Sequence, residues 1–409
     1  MKRHTLVLAA VLTVAALVVP LSAAGAATTS AKANGPVVKI GVLLPINSPT
    51  AANPDNGDAF KAAVAAFNKR GGLGKKHSRI QAFVCDTRGD SNGEVNCARE
   101  LVSDGVVATV GDLAYNNPAG VVSIMEGAQI PRIGLFETDL AEFTSAVSFT
   151  VNAGPVADYV AAASGLAKEG KKKVTLVRTD APTGASFKGF VQPPFQKADT
   201  DIVGDIAIAT GSTDYSPYVA QLQRSGANSA VLAIDEQSAS QLVASMAQLN
   251  AKIRLSGISA TFSLNTLRKF NSVTKGTLLV DSFPYPSQNN VKNFPGLKQF
   301  YADMKASGKK NLQPTNIKPA AIGVYMAVLS FVKLVANLDT ITKDTVLQAL
   351  KTEKDINLNG LAAPWTPSAP GYSLFKSSSN HIVFLSKWDG KNVVTQKTPV
   401  DITPFFPSS

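Results

Sequence analysis

The sequence predicts an α/β protein of two Rossmann-like lobes, each a parallel sheet covered by helices, joined by a multi-strand hinge. Three observations carry that expectation. Short, near-continuous apolar runs alternate with amphipathic segments at a repeat of about 25–30 residues, the pattern of parallel strands buried on both faces. The alternation restarts after "TVNAGP", residues 150–155. The last third adds helices and one hairpin without opening a third block, so the chain is expected to cross between lobes more than once.

In chain order, Lys2 and Arg3 precede an apolar run, residues 6–19, that is short for a membrane span, and small residues such as Ala24-Gly25-Ala26 follow. Residues 1–27 therefore read as a secretory signal peptide, outside fold reasoning. No cysteine lies near its end, which argues against a lipid anchor. The expected location is a periplasmic or cell-wall space. About 380 residues remain, room for two domains.

The first block reads strand "VVKIGVLLPI", helix "NGDAFKAAVAAFNKR" with a "GGLG" stop, strand "RIQAFVCD", helix "NGEVNCARELVSDG", strand "VVATVG", helix "NPAGVVSIMEGAQ" and strand "IPRIGL". Glycines supply the left-handed turn at helix ends. The second block reads helix "PVADYVAAASGLAKEG", strand "KKVTLVRTD", a helix expected to break at Pro193-Pro194, strand "DIVGDIAIA", helix "SPYVAQLQRSG", strand "SAVLAID", helix "SASQLVASMAQLN", then strands "IRLSGIS" and "GTLLVDSF". Three amphipathic helices, an irregular stretch and a hairpin turning at Asp389-Gly390 complete the chain. The expected division is 36–152 plus 284–372 for lobe I and 153–283 plus 373–400 for lobe II.

Composition excludes several classes. Net charge is +11, but the basic residues fall in short clusters such as Lys171–Lys173, without the basic stripe and interleaved aromatics of a nucleic-acid binder. Three histidines and two cysteines are too few for an ordinary zinc site, and no cofactor is expected. Cys85 and Cys97, even in number in an exported chain, favour one disulfide over two free thiols. "GLAKEGKK" has phosphate-loop spacing, yet it closes a helix and lacks the following Ser/Thr, so it reads as a helix stop. "CDTRGDSNGE" lacks the order of a calcium loop. No nucleophile elbow or metalloprotease helix is present.

Open parallel sheets hold ligands beyond the carboxyl ends of their strands, where helix N-termini offer free N–H groups. Six such corners here are rich in hydroxyl, amide and carboxylate groups: "LPINSPTAANPDNG", "GDLAYNNPA", "GLFETDL", "RTDAPTG", "IDEQSAS" and "ISATFS". Without a catalytic set, they point to a ligand cleft.

The sequence resembles the leucine/isoleucine/valine-binding branch of the type I periplasmic binding proteins, receptors of ABC importers. The resemblance rests on "KIGVLLPINSPTAA", "NKRGGLGKKHSRIQAFVCDTRGD", "ARELVSDGVVATVGDLAYNNPAG", "QIPRIGLFETD" and above all residues 211–250, where a T-D-Y-S segment enters an amphipathic helix and a G-A-x-x-A strand follows. It implies hinge closure on a small solute. It implies that the positions of Ala114, Tyr115 and Asn116 receive a solute carboxylate, with Phe136 and Thr138 beside them. Departures are plain: Thr183 stands where a tyrosine is expected, Asp235 and Glu236 where aromatics are common, and Ser259 near the place of an ammonium-gripping glutamate. Asp180, Asp235, Glu236 or Glu137 would then supply the negative charge, unless Asp235 and Glu236 cap the helix that follows them.

The resulting expectation is a monomeric, non-catalytic receptor that binds an amino acid or similar small polar solute and docks on a membrane permease. The alternatives are a ligand sensor of the same fold and, less favoured, a secreted hydrolase using His77 or His381.

Overall fold

The computed structural model describes residues 32–48, 52–180, 182–372 and 375–406, together with all their side chains except those of 182 and 183. The expected signal peptide lies outside the described residues.

Lobe I opens with β1 (Gly35–Leu44), α1 (Pro54–Lys69), β2 (Ser78–Asp86), α2 (Ser91–Ser103), β3 (Ala108–Val110), α3 (Pro118–Ala128), β4 (Arg132–Ile133), α4 (Leu140–Thr144) and β5 (Ser148–Phe149). Its sheet runs β2-β1-β3-β4-β5, all parallel. The inner positions of β1, Ile40, Val42, Leu43 and Leu44, are fully buried, as a strand covered on both faces requires. Gly134, just after β4, has φ +65°, and a Cβ there would stand 2.6 Å from Ala327 Cβ. Only glycine allows that approach.

Lobe II follows with α5 (Gly154–Lys168), β6 (Lys173–Thr179), α6 (Pro182–Lys197), β7 (Asp201–Ile208), α7 (Ser216–Arg224), β8 (Ser229–Ala233), α8 (Glu236–Gln248), β9 (Arg254–Ile258), α9 (Leu264–Lys269), α10 (Asn271–Thr274) and β10 (Leu278–Asp281). The chain returns to lobe I for α11 (Gly296–Ala306), α12 (Ala320–Leu334) and α13 (Lys343–Thr352), then ends in lobe II with β11 (Ile382–Trp388), β12 (Val393–Thr395) and β13 (Val400–Asp401). The second sheet runs β12-β11-β10-β9-β8-β6-β7, with β13 also on β11. Strands β6 to β10 are parallel, and β11 to β13 form an antiparallel edge.

The two central helices, α5 and α12, are apolar nearly all round and buried nearly all round. Helix α6 runs through Pro193 and Pro194 instead of breaking there. Each internal proline costs about 3 kcal/mol, but Val191 and Phe195 on either side are fully buried in the lobe II core. Burying those two apolar side chains recovers roughly 1.5–3 kcal/mol each. The hairpin turn holds four residues. The Asp389 carboxylate accepts the Lys391 and Asn392 N–H groups at 2.7 Å each, and Gly390 takes φ +104°. Residues 285–290, expected in lobe I, bond instead to β12 through Tyr285, Ser287 and Asn290.

The crossing segments are tied side by side. Thr150 donates from N–H and Oγ1 to the Ser377 carbonyl, Asn380 Nδ2 donates to the Val151 carbonyl, and Tyr372 donates to the Ala153 carbonyl. Ser282 Oγ accepts the Ala153 N–H at 3.0 Å and donates to Asp158 at 3.1 Å. Phe143 of α4 reaches across this junction and packs edge-on against Phe375 and Phe190.

Candidate functional site

The residues singled out from sequence follow the carboxyl ends of strands in both parallel sheets, beside the starts of the helices that come next. On lobe I, β3 leads through Gly111 to Asp112, Leu113 and Ala114, and then to the start of α3. The backbone N–H groups of Tyr115, Asn116 and Asn117 point together, at the place where a solute carboxylate was expected. They already hold one. The Glu94 carboxylate, from α2 and 1% exposed, accepts from Tyr115 N at 2.8 Å, Asn116 N at 3.0 and 3.1 Å, and Asn117 N at 2.6 Å. Asn117 Oδ1 takes the next donor, Gly120 N, at 3.0 Å. Asn116 Nδ2 turns away to the Gly89 carbonyl. A carboxylate on three amide N–H groups at a positive helix end is a strong, charge-assisted arrangement.

The neighbouring corner is likewise satisfied from within. Thr138 Oγ1 donates to the Ala114 carbonyl at 2.7 Å, and Thr138 N donates to Glu142 at 2.8 Å. Glu142 pairs with Arg132 at 2.9 Å, and Arg132 with Asp112 at 3.1 Å, all three buried. Phe136 is half-buried and packs on the lobe I core. Glu137, a candidate for gripping a cation, is fully buried and turned to the hinge, where it accepts from Ser377 Oγ and Ser378 Oγ. Burial pushes its pKa up to about 8, against the Ser377 hydrogen bond and with the help of Glu142.

On lobe II, Asp235 is the N-cap of α8, accepting Ser238 N at 2.9 Å. Glu236 does not cap; it bridges the lobes in an ion pair with Lys318 at 3.2 Å. Asp180 is exposed at the end of β6, and the Thr183 side chain lies outside the described residues. Ser259 is 1% exposed, and its N–H donates to Asp281 Oδ1 at 3.3 Å. Its Oγ is buried beside the same carboxyl, which it favours in the charged form.

Sequence reasoning missed the groups around Ser259. Asp281 ends β10 and Asp158 stands in the first turns of α5, both buried. Burial, and then each other's company, raises the Asp281 pKa well above the usual carboxylate range; burial raises that of Asp158 to about 8, against its bond to Ser282. No cation pairs with either among the described residues. Burial, then the neighbouring Asp158 and Tyr115, raise the pKa of the Tyr159 phenol. Tyr115 itself is 36% exposed, yet the surrounding protein, then Glu94 and Asp235, push its phenol up to about 12. One signal was available: a lone Asp-Tyr pair inside the otherwise apolar run "PVADYVAAAS". Cys85 and Cys97 form a disulfide that clips β2 to α2, the helix bearing Glu94.

The fold matches a known family over most of its length. The sequence pattern of the family described as "Periplasmic binding protein" matches residues 37–371. The chain belongs to that family. Its two parallel sheets are those of the type I fold, and the family is one of extracytoplasmic solute-binding proteins. No curated protein sequence matches the chain. Solved structures share the fold at low identity. A solute-binding protein of an ABC transporter from R. palustris, in complex with 4-hydroxybenzoate, is 17% identical with TM-score 0.71 over 89% of this chain and 98% of that one. A fatty acid ABC transporter substrate-binding protein from Thermomonospora curvata is 16% identical with TM-score 0.71 over 90% and 94%. A leucine-binding protein from Thermotoga maritima is 14% identical with TM-score 0.69 over 89% and 99%. Among the described residues, no helix is long and apolar enough to cross a membrane, and no cluster of His, Cys, Asp and Glu could hold a metal ion.

Proposed function

We propose that this chain is an exported, monomeric solute receptor that delivers a small polar molecule to an ABC permease and performs no chemistry itself. The lobes would close on the solute about the hinge, and the permease would distinguish closed from open. The observation that carries this reading is the set of buried carboxyls near the ends of strands in lobe II, where Asp281 at the end of β10 and Asp158 in α5 have no cationic partner among the described residues. Buried polar groups ordinarily find partners within the chain, so an incomplete set at the mouth of two sheets suits a molecule that arrives later. The named relatives bind chemically different solutes, leucine, 4-hydroxybenzoate and a fatty acid, so the solute of this chain follows from its own residues. Residues 1–27 would direct export.

Calorimetry with a panel of amino acids, amides, amines and small aromatic acids tests the reading, together with small-angle scattering at saturation. The expected result is one-to-one binding with a smaller radius of gyration. Turnover of a substrate without stoichiometric binding would overturn it.

A further inference from the structure

We infer that the pocket between residues 144–149 and 367–377 is a second ligand site, one that takes a small monocarboxylate with an apolar body; it is separate from the solute site of the receptor reading. The pocket measures about 340 Å³, within the range of small-molecule sites. One wall is the end of α4 and the edge strand β5 of the lobe I sheet, and the other is the irregular stretch that precedes β11. Both walls run directly into crossing segments: the Thr150 N–H and Oγ1, one residue past β5, donate to the carbonyl of Ser377 on the opposite wall. Phe149, Pro367, Ala369 and Pro370 give the lining its apolar surface.

Two polar groups of the lining are left over by the chain. Ser148 is 2% exposed, and its Oγ has no hydrogen-bond partner. Lys376 is the one charged residue of the lining, and no carboxylate pairs with it among the described residues. The other lining hydroxyls are accounted for. Thr144 Oγ1 donates to the Leu140 carbonyl, Ser145 Oγ to Glu126 and Ser377 Oγ to Glu137, and Ser368 is exposed to water. A buried hydroxyl without a partner costs free energy that an arriving acceptor recovers. A hydroxyl that can donate and an ammonium together suit a carboxylate, which only accepts. An amine would find no carboxylate on this lining. Two acids bond to lining residues without lining the pocket themselves. Burial raises the Glu137 pKa to about 8, so it keeps its proton at neutral pH, and Glu126 holds the Ser145 hydroxyl and the Ala146 N–H. The proline and phenylalanine surfaces would cover the apolar body of the same molecule.

The test uses 4-fluorobenzoate on the full chain, followed by fluorine NMR, with 4-fluorobenzamide as the uncharged isostere and 4-azidobenzoate as a photolabel. The benzoate is expected to bind, and the amide to bind about five-fold more weakly. Lys376→Gln should weaken benzoate binding about five-fold and Ser148→Ala about 10-fold, with melting curves showing that each variant is folded. The exposed Lys376 variant keeps the test open should Ser148→Ala unfold. Photolabelled peptides should fall within residues 144–149 and 367–377. Benzoate affinity unchanged in both variants, or label confined to the strand-end corners, would overturn this inference and leave the receptor reading standing. Failure of 4-fluorobenzoate to bind would also overturn it, and the receptor reading would still be decided by its own panel of solutes.

Discussion

The two faces that meet at the junction are built alike and finished differently. Each is a set of strand ends followed by helix starts, with polar loops between. On lobe I the donors around α3 and α4 are matched inside the chain: Glu94 closes three backbone N–H groups, Glu142 closes a fourth, and Arg132 pairs with Glu142 and Asp112, keeping its Nη1 as a buried donor without a partner. On lobe II the helix start is capped by Asp235, but Asp281 and Asp158 lie buried with no cationic partner among the described residues. The contrast teaches that polar character at a strand end is not by itself a binding site. What counts is which groups remain unmatched after the chain has folded, because a matched group has nothing left to exchange with a solute.

The sharpest way to break this contrast is to empty the lobe I site. Glu94→Ala leaves three N–H groups without their acceptor and should cost about 3–5 kcal/mol, read as a fall in the urea midpoint. Glu94→Gln, which retains one acceptor oxygen, should cost less. An unchanged midpoint in Glu94→Ala would mean that the carboxylate is not structural. Reduction of the Cys85–Cys97 bond, which clips the same helix, should cost about 3 kcal/mol in the loop-entropy picture. The same denaturation curve with and without reductant measures it.

The pH dependence probes the buried carboxyls. Glu137 and Asp158 have pKa values raised to about 8 in the folded chain, from ordinary values of 4.5 and 3.8. Between those limits the folded state keeps a proton that the unfolded state has lost. Their contribution is therefore fully present below pH 4 and is lost as pH rises through about 8, by at most about 1.4 kcal/mol per pH unit for each group. Asp86, whose pKa is lowered by hydrogen bonds from the Arg88, Asn47 and Ile46 backbone despite some burial, acts the opposite way in acid. Melting temperature should peak in mildly acidic solution and fall toward pH 8, and Asp158→Asn should flatten that fall. A curve that rises from pH 5 to pH 8 would contradict it.

The smallest effect should come from the rim. Lys318→Ala removes an exposed ion pair between the lobes and should change stability by less than about 1 kcal/mol. Its consequence for the open–closed balance should vanish in high salt, which small-angle scattering at two ionic strengths would follow.

Much of the fold was legible because it follows from local pattern. The apolar runs that became β1, β6 and β8 are buried on both faces, and Gly170, after α5, and Gly105, after α2, take the positive φ expected of helix stops. The Asp389-Gly390 turn also follows from local residues. The Pro193-Pro194 helix was misread because the burial of Val191 and Phe195 depends on the rest of lobe II. What the sequence did not show at the strand-end corners is which of their groups the chain itself satisfies. Phe136 packs against the lobe I core and Glu137 bonds to Ser377, contacts with distant residues that the local sequence does not show.

By itself, then, the sequence determined two parallel α/β blocks, the crossing chain and the polar strand ends, since hydrophobic periodicity and glycine stops act over a few residues. Only the tertiary structure decided that Glu94 fills the helix start 21 residues further on, and that Asp158, Ser259 and Asp281 share one buried spot. Pairing among charges depends on distance through space. Strands far apart in the chain become neighbours only once the sheets have formed.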